Sequence, residues 1–175
     1  MEGRIKKIPL IIASLFLLSS CTSKLEKIAG GKSWPEQTIK NFTFDKYSAG
    51  VAKWSFKASR ADIYDSSQRV DATSINVLFF KDGATDSVLT ADTAAMNTGT
   101  GDIEMSGNVV IFSLLKCTTI YTDAAKYYQK AGRITSDSPV RQERADFTVK
   151  GRGLDADVGL VEVNILHDVK VTRKP

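Results

Sequence analysis

The sequence of 175 residues predicts an all-β fold built from antiparallel strands. Apolar and polar residues alternate over most of the chain, as expected of strands with one face in the interior and one face in water. No segment keeps a 3.6-residue apolar period over a dozen residues, which is the pattern of an amphipathic helix. The third observation is an internal repeat that is too short to contain a crossover helix.

The repeat covers residues 90–140, and its two copies are offset by 31 residues. Each copy contains an Asp-x-Ala-x-apolar segment, a polar turn, a Gly-x-Ile segment and a later Val. The equivalent pairs are Asp92 and Asp123, Ala94 and Ala125, Met96 and Tyr127, Gly101 and Gly132, Ile103 and Ile134, and Val109 and Val140. A looser third copy runs from Gly153 to Val169. Such a repeat predicts strands stacked side by side, each covering the apolar face of the next.

The strand segments can be located from their alternation and from the turns between them. They lie, in chain order, near residues 39–44, 54–58, 75–80, 103–111, 121–131 and 161–172. Residues 121–131 contain several helix-forming residues, but their alignment with the first repeat copy predicts a strand. The final segment, about Val161 to Thr172, has the clearest alternation and predicts a sheet that ends in an exposed strand.

Shared parity within each strand defines one interior face. A bulge near Gly107 or Gly159 would shift this assignment by one residue. We expect the following side chains to line one continuous interior: Phe56, Ile75, Val77, Phe79, Ile103, Met105, Val109, Ile111, Ile134, Val140, Val161, Val163 and Ile165.

The N-terminal region predicts a lipoprotein signal peptide over residues 1–20. Three basic residues precede an apolar run at 8–18, which is shorter than the about 20 residues needed to span a bilayer. The run ends in Leu18-Ser19-Ser20-Cys21, the pattern of a bacterial lipobox. We therefore expect Cys21 to be acylated and to hold the chain on a membrane outside the cytoplasm.

The rest of the chain divides into two predicted segments. Residues 21–38 are polar and small and predict a lipidated N terminus with a flexible tether. Residues 39–175 form the predicted β-domain. From residue 21 onward, 21 Lys and Arg face 19 Asp and Glu. This near-neutral balance removes the electrostatic basis for nucleic-acid binding.

Catalytic and metal-binding patterns are incomplete in this sequence. Ser113-Leu114-Leu115-Lys116 matches a Ser-x-x-Lys motif but lacks its companion motifs and lies in strand-like sequence. The single histidine, His167, shares the parity of the apolar face, which predicts a structural residue at the edge of the interior. We expect no catalytic residues, no metal site, no cofactor and no enzymatic activity.

An ordered set of segments resembles the LptC family, the periplasmic component of lipopolysaccharide export, and its OstA-like relatives. The segments are Trp54 to Ala58, Gly107-Asn108-Val109-Val110, Tyr121-Thr122-Asp123, Ser136-Asp137-Ser138-Pro139-Val140 and Gly151-Arg152-Gly153-Leu154. The resemblance covers about residues 39–172. It implies an open, twisted antiparallel β-jelly roll in which two facing sheets enclose an apolar trough.

The resemblance also implies a function without catalysis. Family members receive lipopolysaccharide from an inner-membrane ABC permease and pass it to the periplasmic protein LptA. An apolar trough suits this cargo, because each exposed CH2 group of an acyl chain costs about 0.8 kcal/mol in water. Strand edges of neighbouring proteins would pair directly. We expect Asn164, Leu166, Val169 and Val171 to form the partner edge, with the N–H groups of Asn164 and Leu166 pointing outward.

Two features depart from the family pattern. Well-known members have a transmembrane helix, whereas this sequence predicts a lipid anchor. Thr22 follows the predicted acylated cysteine, where Asp commonly retains lipoproteins in the inner membrane. The family favours the inner membrane, and the outer membrane stays open. The alternative is therefore an outer-membrane lipoprotein that acts as a β-scaffold or assembly factor with a filled core and no lipid cargo.

Overall fold

The computed structural model describes residues 34–174, and these form one nine-stranded antiparallel sheet. The strands are β1 (Gln37–Ser48), β2 (Val51–Tyr64), β3 (Arg69–Lys81), β4 (Ala84–Asn97), β5 (Ile103–Ser113), β6 (Thr118–Tyr128), β7 (Arg133–Glu143), β8 (Phe147–Asp157) and β9 (Val163–Arg173). A single 3-10 turn, Asp65–Ser67, joins β2 to β3 among these residues. The sheet order follows the chain order, so β1 and β9 are its two edges.

Most strands are interrupted near the middle, and this divides the sheet into two halves. The register shifts between Thr90 and Thr93, Ser106 and Val109, Thr122 and Lys126, Ser136 and Pro139, and Lys150 and Arg152. Such bulges bend strands and increase their twist. We call the half near the β2–β3, β4–β5, β6–β7 and β8–β9 connections the proximal half-sheet. The half near the other four connections is the distal half-sheet.

Each half-sheet contains an inward row with one residue from every strand. The proximal row is Gln37, Ile63, Val70, Met96, Ile103, Tyr127, Ile134, Ala156 and Val163. The distal row is Phe44, Phe56, Val77, Leu89, Ile111, Ile120, Gln142, Val149 and Val171. The two halves share one hydrophobic core. Phe79 of the distal half contacts Tyr127 of the proximal half, with ring centroids 5.0 Å apart.

The sequence repeat corresponds to two consecutive hairpins, β4–β5 and β6–β7. Equivalent residues occupy equivalent places: Ile103 and Ile134 are both buried, and so are Val109 and Val140. The repeated glycine serves the connection in each hairpin, with φ of 78° at Gly101 and 64° at Gly132. A non-glycine side chain would be strained there. The predicted strand at 121–131 is confirmed as β6.

Two expectations about local structure are wrong, those for Val161 and His167. Val161 lies in the β8–β9 connection and is 65% exposed. Leu160 takes the interior place, because the turn that starts at Asp157 delays the strand until Val163. His167 is exposed. The first strand begins at Gln37, two residues before the predicted start of the β-domain. The predicted signal peptide, residues 1–20, and Cys21 lie outside the described residues.

Candidate functional site

The inner face of the sheet brings together most of the predicted interior residues. Ten of the thirteen are buried: Phe56, Ile75, Val77, Phe79, Ile103, Met105, Val109, Ile111, Ile134 and Val140. Val163 and Ile165 are half-buried and pack against this core. Val161 is the exception described above. Whether any of these side chains contacts a lipid stays a prediction.

Several large interior side chains were not in the sequence-based set. Leu89 and Ile120 are fully buried in the distal row, between Val77 and Gln142. The sequence did not identify Leu89 as an interior residue, because Val88 and Leu89 are both apolar and alternation alone does not say which one faces inward. The cross-strand register settles the choice, since Leu89 pairs with Val77 and Ile111.

The middle of the interior is closed by packed side chains. The Phe79–Tyr127 contact joins the two half-sheets directly. Burial raises the pKa of Tyr127 to about 12, and the nearby carboxylate of Asp102 adds to this effect. Small residues lie beside the packed region, because Ala58 and Ala91 flank Ile75 on its two neighbouring strands. Both alanines are buried.

The two ends of the distal row are open, in contrast to its middle. Phe44 on β1 is 39% exposed and Val171 on β9 is 64% exposed, whereas the five residues from Phe56 to Ile120 are all fully buried. Edge strands have a neighbour on one side alone, so their apolar inner faces lack the cover that central strands receive. An apolar surface that leads from the core to both edges is suited to contact with an extended apolar ligand.

The hydrogen bonds of β9 indicate which of its backbone N–H groups point toward β8 and which point outward. The N–H of Asp157 donates to the carbonyl of Glu162, and the register then continues through Ala156 and Val163. In an antiparallel ladder this alternation turns the N–H groups of Asn164 and Leu166 toward β8. The expectation that they point outward is wrong for that reason.

Farther along β9, some backbone N–H groups do point away from the sheet, in alternation with groups that bond to β8. The N–H of Lys174 donates to the carbonyl of Asp146, beside the pair of Phe147 and Arg173. The same alternation leaves the N–H of Val171 free at the edge. The side chains of Leu166, Val169 and Val171 are all more than half exposed.

The outer face of the proximal half-sheet carries a polar groove of about 790 Å³. Three ion pairs line it: Arg60 with Asp62, Arg69 with Asp71, and Lys126 with Glu104. Hydrogen bonds from Arg60 and from Thr38 lower the pKa of Asp62. Six of the seven charged side chains that line this groove form these pairs and Asp137 does not, so the groove has little unsatisfied charge to offer a ligand.

Residues 34–174 contain neither a cluster of metal ligands nor a helix that could span a membrane. No cluster of three or more His, Cys, Asp or Glu side chains in this part of the chain could hold a metal ion. The same residues contain no helix that is long and apolar enough to cross a membrane.

Comparison with known families identifies the family of this chain. The model of the family described as "Lipopolysaccharide-assembly, LptC-related" matches residues 9–174. The chain belongs to the LptC family. This membership confirms the resemblance found in the sequence and places the chain in lipopolysaccharide transport.

The fold agrees with that of a solved structure. LptH of Pseudomonas aeruginosa, the LptA homologous periplasmic component of lipopolysaccharide transport, superposes with a TM-score of 0.55 and 14% sequence identity. The match covers 70% of this chain and 95% of LptH. At this identity the likeness establishes the fold, and it confirms the predicted open β-jelly roll. A comparison with curated protein sequences gives no match.

Proposed function

We propose that this LptC-family protein binds lipopolysaccharide in the periplasm and transfers it without catalysis. In this proposal the chain receives lipopolysaccharide from the inner-membrane ABC permease and passes it to an LptA-like bridge protein. Acylation of Cys21 would hold it on a membrane, with the inner membrane favoured because the permease lies there. Family membership and the β-jelly-roll fold support this role.

The observation that carries the proposal is the distal row. It is apolar at eight of its nine positions, fully buried at its centre and exposed at both ends. Acyl chains gain about 25 cal/mol for each Å² of apolar surface removed from water. A ligand that covers Phe44 would obtain this gain at the edge and then meet apolar residues from Phe56 to Ile120, whereas one that covers Val171 would meet Val149 and then Gln142.

The edge of β9 is the proposed docking site for the LptA-like partner. The backbone carbonyls of an incoming strand would accept hydrogen bonds from the free N–H groups along this edge, and the sheet would then extend across the two proteins. Exposed edge strands otherwise promote self-association. Lys170, Arg173 and Lys174 place positive charge on the strand and oppose pairing between two copies of it.

The scaffold alternative has one observation in its favour. The Phe79–Tyr127 contact fills the interior where the two half-sheets meet, as a protein without cargo would require. The two functions differ in what happens at the exposed ends of the row. A lipid carrier needs Phe44 and Val171 to be apolar, whereas a scaffold with a filled core does not.

Binding of purified lipopolysaccharide by the full chain tests the proposal. Val171→Asn makes the inner face polar at the open end, and Thr172→Asn makes the same neutral change on the outer face of the next residue. We expect Val171→Asn to weaken binding about three- to tenfold, since partial burial of a valine contributes roughly 1 kcal/mol. Equal affinity for both variants would refute a lipid contact at this end of the row. Failure of the unchanged protein to bind lipopolysaccharide would contradict the lipid-binding role and favour the scaffold.

A further inference from the structure

A row of three cations crosses β7, β8 and β9 on the outer face of the distal half-sheet. Arg141 pairs with Lys150, and Lys150 pairs with Lys170. The neighbours of these residues along each strand, such as Val140 and Val149, face the interior, so the three charged side chains share the opposite face. Like charges placed directly opposite on adjacent strands destabilise a sheet. The row therefore needs an explanation other than folding.

Little in the described structure neutralises the row. Arg141 lies over the ring of Tyr121, 4.0 Å from its centroid, and forms an ion pair with Glu143. None of the ion pairs among residues 34–174 includes Lys150 or Lys170. Both lysines lie on exposed positions. Two positive charges in the row are thus free to bind an anion.

The surrounding charge distribution is uneven. Residues 34–174 contain 18 Lys and Arg and 18 Asp and Glu, which gives no net charge. The distal parts of β7 to β9, residues 139–152 and 167–174, contain seven Lys and Arg against three Asp and Glu. This region is four charges positive, and the rest of the described domain is four charges negative. An anionic ligand would therefore be directed to this end of the sheet.

A groove of about 400 Å³ lies beside the row on the outer face. Tyr121, Arg141 and Lys150 line it together with Asn108 and Asp123. Its volume exceeds that of a single inorganic anion and suits a phosphorylated sugar. Arginine and lysine are the residues that proteins use for phosphate, and an aromatic ring beside them can support a sugar face.

We propose that Arg141, Lys150 and Lys170 bind phosphate groups on the saccharide headgroup of the transported glycolipid. This inference rests on the proposed lipopolysaccharide-binding function and adds a headgroup site to it. The apolar inner face and the basic outer face lie on the same two strands, where Val149 precedes Lys150 and Val171 follows Lys170. The exposed end of the sheet thus presents apolar contacts on one face and phosphate contacts on the other.

The test compares two double variants of the full chain that each remove two exposed strand lysines. The first is Lys150→Thr with Lys170→Thr, and the control is Lys40→Thr with Lys57→Thr on β1 and β2. We expect the first to weaken binding of lipopolysaccharide about ten- to thirtyfold at low salt. The control should change it less than about twofold. Thermal unfolding should show the first variant to be at least as stable as the unchanged protein, because a like-charge row is removed.

Dephosphorylated lipopolysaccharide tests whether the two lysines act through the phosphate groups of the ligand. With chemically dephosphorylated lipopolysaccharide, we expect the first variant and the unchanged protein to bind equally. An equal loss with both forms of the ligand would overturn the headgroup site while leaving lipopolysaccharide binding intact. Binding of neither form by the unchanged protein would refute the proposed function together with this inference.

Vesicles and inorganic phosphate complete the test. Phosphatidylglycerol vesicles should bind no more tightly to the unchanged protein than to the first variant. A lysine-dependent preference for these vesicles would assign the row to bilayer headgroups and overturn the glycolipid site. Inorganic phosphate at millimolar concentration should compete weakly, because it occupies a small part of the groove. Full competition would show a site for the free anion and not for a phosphorylated sugar.

Discussion

The middle and the ends of the distal row have the same apolar pattern and opposite environments. Phe56 and Phe44 are cross-strand neighbours, yet the first is fully buried and the second is 39% exposed. Val149 and Val171 form the corresponding pair at the other edge, where Val171 is 64% exposed. Alternation therefore specifies which face of a strand is apolar, whereas the place of the strand in the sheet decides whether that face is covered.

The covered and uncovered parts of the row differ in what their side chains do. Side chains at the covered middle hold the fold together, and side chains at the uncovered ends are free to contact a ligand or a partner. The positive-φ residues show the same division. Asn41, Ser74, Asn108 and Asp168 each have φ near 50° and are each followed by an apolar residue. Those residues are Phe42, Ile75, Val109 and Val169, of which Ile75 and Val109 are buried and Val169 is 54% exposed.

The largest effect is expected from truncating the covered member of a pair. Phe56→Ala should lower the free energy of unfolding by about 3–5 kcal/mol, because it leaves a cavity in a packed core. Phe44→Ala should lower it by about 1 kcal/mol, since its ring is partly in water and contacts Trp54 at the edge. Urea denaturation measures both values. Similar losses for the two variants would show that the edge is as well packed as the middle.

A proline at the β9 edge should separate partner binding from folding. Val171→Pro removes an N–H that points away from β8, and Val171→Ala removes side-chain atoms while keeping that N–H. We expect the proline variant to lose at least about tenfold in affinity for an LptA-like partner, equal to 1.4 kcal/mol. The alanine variant should keep most of its partner affinity. Far-UV circular dichroism checks that both variants stay folded, and normal partner binding by a folded Val171→Pro protein would refute the edge interface.

Ionisation of Tyr127, in the closed part of the interior, should have a smaller and pH-dependent effect on the free energy of unfolding. Its pKa in the folded protein is about 12, and the unfolded chain has the ordinary value of 10. The stabilising effect of the neutral phenol is complete below about pH 10 and is lost as the pH rises toward 12. Relative to Tyr127→Phe, the unchanged protein should lose about 1 kcal/mol of unfolding free energy between pH 8 and pH 11. Parallel stability curves for the two proteins would show that the phenol is hydrated.

The sequence contained enough to predict the fold class and most of the inner face. The 31-residue repeat corresponds to the β4–β5 and β6–β7 hairpins because each copy carries the turn glycine and the inward isoleucine. Where two apolar residues are adjacent, alternation could not predict which of them faces inward. At Leu160-Val161 the turn at Asp157 decides which side chain is inward, and at Val88-Leu89 the register with Val77 decides it.

The alternation of apolar and polar residues could not predict which residues lie opposite each other on neighbouring strands. The cation row joins Arg141, Lys150 and Lys170, which are scattered in sequence and meet through the register of three strands. The free N–H groups of β9 also depend on register, and assigning them to Asn164 and Leu166 was wrong for that reason. A one-residue change in pairing reverses which donors face outward, and alternation in a single strand does not reveal it.

Photo-cross-linking in living cells tests most directly whether the inner face carries lipopolysaccharide. Val163 and Asn164 are adjacent on β9, and Val163 packs against the core whereas Asn164 is exposed on the outer face. A benzoylphenylalanine at Val163 should capture lipopolysaccharide, and one at Asn164 should capture at least about tenfold less. Capture of lipopolysaccharide in equal amounts from both positions, or from neither in a folded and functional protein, would show that the inner face does not carry lipopolysaccharide.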